Sequence, residues 1–233
     1  MPAPPASTSF EIAPAFAVPM AVAHMADPDS LNAELIELFE RCAAEGDKYR
    51  NPDPMVYRND TLFESNFTLF EWPQACVQRL REFCLSHLYR AIGELNAYDL
   101  DLLRRLHVAT ESWFHIAHRG GLFGAHNHPM HSWSGVYCVQ HDGDDPNTRS
   151  GQLTFISPFI TSTTFIDTAV AKLRAPYRMG TMGLRLKPGQ LVLFPSWLLH
   201  EVMPYEGDTR RITVAFNARF KLAGARPADV PRG

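Results

Sequence analysis

Ala125-His126-Asn127-His128-Pro129 runs into Ser134-Gly135-Val136-Tyr137, and much later Phe194-Pro195-Ser196-Trp197-Leu198-Leu199-His200 runs into Thr209-Arg210-Arg211-Ile212-Thr213-Val214. These two segments together decide the fold. Side chains alternate along a strand, so His126 and His128, two residues apart, can reach one point from a strand end. His200 returns just before an arginine-bearing strand and completes a set of the kind with which a β-barrel holds a metal ion.

The chain of 233 residues is long enough for one packed domain, and all-β barrels of this size commonly run as a single unit. Hydrophobic residues at 45% and charged residues at 20% exclude a disordered or fibrous chain. A formal net charge of -3, with no long run of Lys and Arg, offers nothing to a polyanion, so no nucleic acid partner is expected. Cys42, Cys76, Cys84 and Cys138 lack CxxC spacing and read as buried thiols in a reducing cytoplasm. The stretch Met1 to Ser7 lacks the positive start of a secretory signal, and no segment approaches the ~20 apolar residues of a bilayer span, so no membrane is expected.

Along the chain, Asp27-Pro28 reads as a cap with an N1 proline, followed by Leu31, Leu35, Leu38, Phe39 and Cys42 at helical spacing until Gly46. A second amphipathic helix starts near Pro73, carries Val77, Leu80, Cys84, Leu88 and Ala91 on one face, and has Gly93 near its end. Between them the polar stretch from Lys48 to Asn66 reads as a long loop over one barrel edge. From Leu106 the period becomes that of strands: Val108 to Ile116, Ser134 to Gln140, Gly151 to Ile156, Gly183 to Leu186, Gln190 to Phe194 and Arg211 to Phe220. Turns are expected at Asp142-Gly143, Lys187-Pro188-Gly189 and Glu206-Gly207-Asp208. The expected fold is mainly β with N-terminal helices, a double-stranded β-helix or cupin-like jelly roll. It is read as one domain: a mostly helical layer over 1–105, a jelly-roll core over 106–221 and a flexible tail over 222–233.

The blocks His126 to Pro129, Ser134 to Tyr137, Gly151 to Phe155, Pro188 to His200 and Arg211 to Asn217 resemble, in content and order, the 2-oxoglutarate- and Fe(II)-dependent oxygenase family of microbes and phages. The likeness covers roughly Trp113 to Phe220 and extends to the wider superfamily that includes the prolyl hydroxylases. It implies Fe(II) and 2-oxoglutarate as cofactors and dioxygen as co-substrate. The keto acid would be decarboxylated to succinate and CO2 while a C–H bond of a small molecule or protein side chain is oxidised. The resemblance gives His126, His128 and His200 as metal ligands, and a basic residue soon after the distal histidine, Arg210 or Arg211, as the keto-acid anchor.

The superfamily carries a carboxylate where this chain has His128. Three imidazoles leave iron with a higher net charge than two imidazoles and a carboxylate. A carboxylate from elsewhere, Glu111, Asp142 or Glu201, is the other way to complete the set. Arg211 alternates with Thr213, Ala215 and Asn217, so all four share a face, and an inward guanidinium implies an anion. Ser134 is a candidate for a hydrogen bond to the keto acid. Trp133 and His131, in the loop nearest the metal, are candidates for substrate contact, and Trp113, Phe123, Tyr137 and Trp197 gather around the same site in sequence. His115, His118 and His141 read as ordinary surface or half-buried residues.

Two other classes stay open on residues alone. A cupin-like enzyme using the three histidines for Zn or Ni would need no inward arginine, and a jelly-roll binding module would need no metal. The helices could pack on the barrel of their own chain or on a second copy, which leaves a homo-oligomer open.

Overall fold

Alternation along paired strands sets the layering. The computed structural model describes residues 9–142, 147–160 and 165–224. They form β1 (Ala21–His24), α1 (Asp29–Ala44), β2 (Leu62–Glu64), α2 (Ala75–Asn96), α3 (Leu100–Arg105), β3 (Leu106–Ala117), β4 (Phe123–His126), β5 (Trp133–Gln140), β6 (Leu153–Ile156), β7 (Thr181–Leu184), β8 (Gln190–Pro195), β9 (His200–Val202) and β10 (Arg211–Leu222). Six strands pair in the order β1-β8-β5-β10-β3-β2, and four in the order β4-β9-β6-β7. Every ladder between these strands is antiparallel, and the two sheets face each other as a double-stranded β-helix.

On the six-stranded sheet one set of alternate residues meets the helices. Phe114, Ile116, Tyr137, Val139, Leu191, Leu193, Ile212, Val214 and Phe216 form one core with Leu31, Leu35 and Phe39 of α1 and Val77, Leu80, Cys84 and Leu88 of α2. The helical spacing read in the sequence is therefore the spacing of the buried stripe. Phe39 stacks on Phe114 with centroids 4.2 Å apart, tying α1 to β3. Burying an aromatic side chain of this kind contributes about 1.5–3 kcal/mol. The Tyr137 hydroxyl donates to Asn32 Oδ1 (2.9 Å), which satisfies a polar group inside that layer. The opposite residues, Cys138, Val192 and Phe194, meet Leu153 and Phe155 of the four-stranded sheet.

Several local expectations change. Asp27 is not the cap of α1: it has φ 49°, and Pro28 is the N-cap residue, its carbonyl accepting from Asn32 N. Gly93 does lie near the end of α2, as expected. The helix continues to Asn96 and closes at left-handed Ala97, while Gly93 lies where a Cβ would come within 3.0 Å of Leu103 of α3. Its absent side chain serves close packing. The stretch from Lys48 to Asn66 does cover an edge, and it contains β2, which pairs with β3. The helical layer thus supplies two strands, β1 and β2, at opposite edges of one sheet. Strand β7 lies two residues earlier than expected, and β4 and β9 were not anticipated. Leu222 closes β10 where a tail was expected to begin; positions beyond 224, residues 1–8 and the Gly143 half of the expected turn lie outside the described residues.

Gly135 sits opposite Phe216 in the β5–β10 ladder, where a Cβ would overlap the Phe216 ring. Gly135→Ala is therefore expected to lower the unfolding free energy by about 1–3 kcal/mol through overpacking. A urea titration reads this directly, and an unshifted midpoint would show that the ring yields without loss.

Candidate metal centre

The three histidines arrive by strand pairing. His126 ends β4 and is the direct cross-strand partner of His200, which opens β9. His128 lies just past β4, held by a hydrogen bond from its backbone N to Ser196 O at 2.9 Å. The ring centroids lie 4.9 Å apart for His126 and His128, 4.4 Å for His126 and His200, and 5.1 Å for His128 and His200. One ligating atom from each lies within 4.8 Å of the others.

Backbone carbonyls orient two of the rings. His126 Nδ1 lies 2.7 Å from Gly124 O, and His200 Nδ1 lies 2.8 Å from Leu198 O. A carbonyl only accepts, so Nδ1 carries the proton in both and Nε2 keeps its lone pair. Burial lowers the pKa of all three. His200 is held at about 4, by burial and then by His126; His128 is held at about 2, by burial and then by His200 and His126; His126 is lowered by burial against the Gly124 bond. The cluster is therefore neutral at pH 7, the state in which imidazole ligates a metal.

The candidate carboxylates lie elsewhere. Glu111 is near His131 (3.7 Å), and Asp142 accepts from the Tyr205 hydroxyl and from Thr209 N. Glu201 neighbours His200 along β9 and so points to the other face of its strand. Among the described residues no carboxylate joins the three histidines.

A cavity of about 190 Å³ opens beside the cluster. Arg211, Thr213, Ala215 and Asn217 line it from β10, with Glu111, Trp113 and His115 opposite on β3. Arg211 is only 3% exposed, and its Nη1 reaches Thr213 Oγ1 at 3.4 Å. Its Nε is buried without a partner, and among the described residues no carboxylate pairs with it. Nearby Cys138 supplies no counter-charge, because burial pushes its thiol up to about 12. Burial lowers the guanidinium pKa as well. Arg210 points away and pairs with Glu40 of α1 at 2.6 Å.

Ser134 lines the cavity, but its hydroxyl is committed to Asn217 Oδ1 (2.8 Å) and to Ser196 Oγ (2.8 Å). His131 also lines the cavity. Trp133 does not: one residue before Ser134, it points to the opposite face of β5 and packs on the helical core. The aromatic walls are instead Trp113 and Phe123, while Tyr137 is in the helical core and Trp197 is half exposed. His115 is also not an ordinary surface residue. It is buried at the cavity, with Trp113 Nε1 donating to its Nε2 (2.9 Å) and Glu64 Oε1 at 3.3 Å. Glu64 further accepts from Asn51 Nδ2 (2.7 Å) and pairs with Arg58. Its carboxyl is raised by burial but held below its ordinary value by His115, Asn51 and Arg58 together. Nothing in the local pattern around Glu64 and Asn51 marked them, because they reach the site from the stretch read as a loop.

Residues 111–217, a little under half of the chain, match the family model described as "Putative 2OG-Fe(II) oxygenase". The resemblance read from the motif blocks is borne out over these residues. No curated protein matches the chain. Among solved structures it is similar to a prolyl-4-hydroxylase of Pseudomonas putida, at 19% identity and TM-score 0.56, over 89% of this chain and 94% of that one. It is also similar to a prolyl hydroxylase from Trichoplax adhaerens in complex with a hypoxia inducible factor oxygen degradation domain peptide fragment, at 12% identity and TM-score 0.53 over 85% and 82%. A third is HygX from Streptomyces hygroscopicus with nickel and 2-oxoglutarate bound, at 10% identity and TM-score 0.54 over 87% and 83%. Likeness at these identities establishes the shared fold.

Histidines that titrate near 6.5 when unfolded and at about 4 or about 2 when folded make the unfolded chain the better proton acceptor between those values. Stability of the metal-free protein should be full above pH ~6.5 and fall on acidification toward pH 4, each such group contributing about 1.4 kcal/mol per pH unit. Urea midpoints taken from pH 7 to pH 5 should drop less steeply in His128→Gln than in the parent protein. Equal slopes would mean that the buried cluster does not carry the effect.

Proposed function

We propose that this chain is a non-heme Fe(II)- and 2-oxoglutarate-dependent dioxygenase that hydroxylates a small molecule or a protein side chain, releasing succinate and CO2. The observation that carries the reading is Arg211, a buried guanidinium with no counter-ion among the described residues, in the wall of the cavity that also holds three neutral imidazoles. Burying a cation without a partner costs several kcal/mol, so a fold that keeps one there is built for an anionic ligand. The guanidinium fork matches a carboxylate bidentately. The family match over residues 111–217 and the shared fold support the same assignment.

In this reading His126, His128 and His200 would hold the iron. The donor set fits: the rings converge, are neutral at pH 7, and two have their protons fixed on Nδ1. Bound iron supplies the redox chemistry of oxidative decarboxylation. The chain's own residues do the rest. Gly124 and Leu198 carbonyls hold the Nδ1 protons, Arg211 grips the distal carboxylate, and Phe123 and Phe194 pack apolar rings against His126 and His200. A substrate enters past Met55, Phe67 and Glu111, which line the cavity and are exposed. The four unpaired cysteines suit a reducing cytoplasm, and no helix of the described residues is long and apolar enough to cross a membrane.

The all-histidine donor set favours one second reading, a cupin-like metalloenzyme independent of 2-oxoglutarate. Anaerobic loading with Fe(II) followed by titration with 2-oxoglutarate separates the two. The first reading requires a saturable, weak visible charge-transfer band; iron binding without the band moves the assignment to the second. His200→Ala should abolish metal binding. Arg211→Ala should bind metal normally but lose at least tenfold in 2-oxoglutarate affinity, since hydrogen bonds to charged groups contribute about 1.5–3 kcal/mol each.

A further inference from the structure

The buried end of Arg211 has a second neighbour whose chemistry the proposed function leaves unused. Gln140 ends β5 opposite Ile212, so in an antiparallel ladder the next residue, His141, comes alongside Arg211. Gly151 closes the third side. It has φ 60°, and a Cβ there would lie 2.8 Å from His141 Nε2, 2.8 Å from Arg211 Cδ and 3.3 Å from Arg211 Nε. The two nitrogens thus approach one point from two strands, across a residue with no side chain to separate them. Both are buried, and neither has a hydrogen-bond partner among the described residues.

The two orphans are complementary. Burial and the Arg211 charge lower the His141 pKa, so the ring is neutral at pH 7. The Asp142 backbone pulls the other way. With the ring proton on Nδ1, the unpartnered Nε2 carries the lone pair. Arg211 Nε is a donor without an acceptor. The ring cannot easily swing away, because Tyr205 packs edge-on against it with centroids 5.7 Å apart, and the Tyr205 hydroxyl is tied to Asp142. His141 does not line the cavity, whereas Arg211 and its contact Thr213 do.

We propose that His141 is a positioning residue that accepts the Nε–H of Arg211 across one water, and so aims the terminal guanidinium nitrogens at a carboxylate entering the cavity. The proposal rests on Arg211 being the keto-acid anchor. It separates two tasks that a lone arginine cannot perform equally well: Nε is fixed from behind, and the terminal nitrogens stay free for the ligand.

The test measures affinities in the full-length Fe(II) protein under anaerobic conditions, for 2-oxoglutarate and for pyruvate, a 2-oxo acid that lacks the distal carboxylate. His141→Phe should weaken 2-oxoglutarate about tenfold, the scale of one hydrogen bond to a charged group, and leave metal and pyruvate affinity unchanged. His141→Gln, which restores an acceptor, should recover most of the loss, and His141→Phe should add nothing in an Arg211→Ala background. Parent-like 2-oxoglutarate affinity in His141→Phe, or an equal further loss in the Arg211→Ala background, would overturn the proposal while leaving the anchor intact. If Arg211→Ala itself binds 2-oxoglutarate as tightly as the parent, the anchor reading fails first. Should His141→Phe not fold, His141→Asn, polar but too short to reach, takes its place. A loss with Asn that Gln restores supports the proposal, and parent-like affinity in both variants overturns it.

Discussion

Strand β10 has to be buried on both faces and paired on both edges, and the rest of the molecule is arranged around that constraint. It pairs with β3 over its whole length and with β5 over most of it, which leaves no edge for water. One face, Ile212, Val214, Phe216 and Ala218, needs an apolar cover, and α1 and α2 supply it. The other face begins with a charged residue, and no apolar cover can satisfy that. That face, Arg211, Thr213, Ala215 and Asn217, instead lines the cavity.

The electrostatics of that cavity follow from its dryness. Burial keeps the imidazoles neutral and makes the guanidinium costly to leave alone. The same desolvation thus leaves three lone pairs for a cation and one fork for an anion, a short distance apart. Glu64, Asn51 and His115 also line the cavity and, with Arg58 behind them, form an internally paired polar group, so their charges are spent on one another.

Much of this was legible because period-2 and period-3.6 patterns report directly on faces. The stripe of α1 and the alternation from Arg211 to Asn217 needed no partner to be read. The misreadings share a cause. Trp133 looked like a site residue because it is near the histidines in sequence, but one step along a strand reverses the face. His115, Glu64 and His141 carried no signal, since each acquires its role from a neighbour on another strand or loop.

By itself the sequence determined the class of fold, the two helical stripes, the spacing that lets His126 and His128 meet, and the shared face of Arg211 and Thr213. All of these follow from local geometry, which the chain carries with it. Only the tertiary structure decided that His200 stands directly across from His126, that Arg211 is buried without a counter-ion among the described residues while Arg210 pairs with Glu40, and that no described carboxylate joins the histidines. Those facts depend on register between strands far apart in the chain, and a shift of one residue in any ladder would have turned every one of these side chains to the other face.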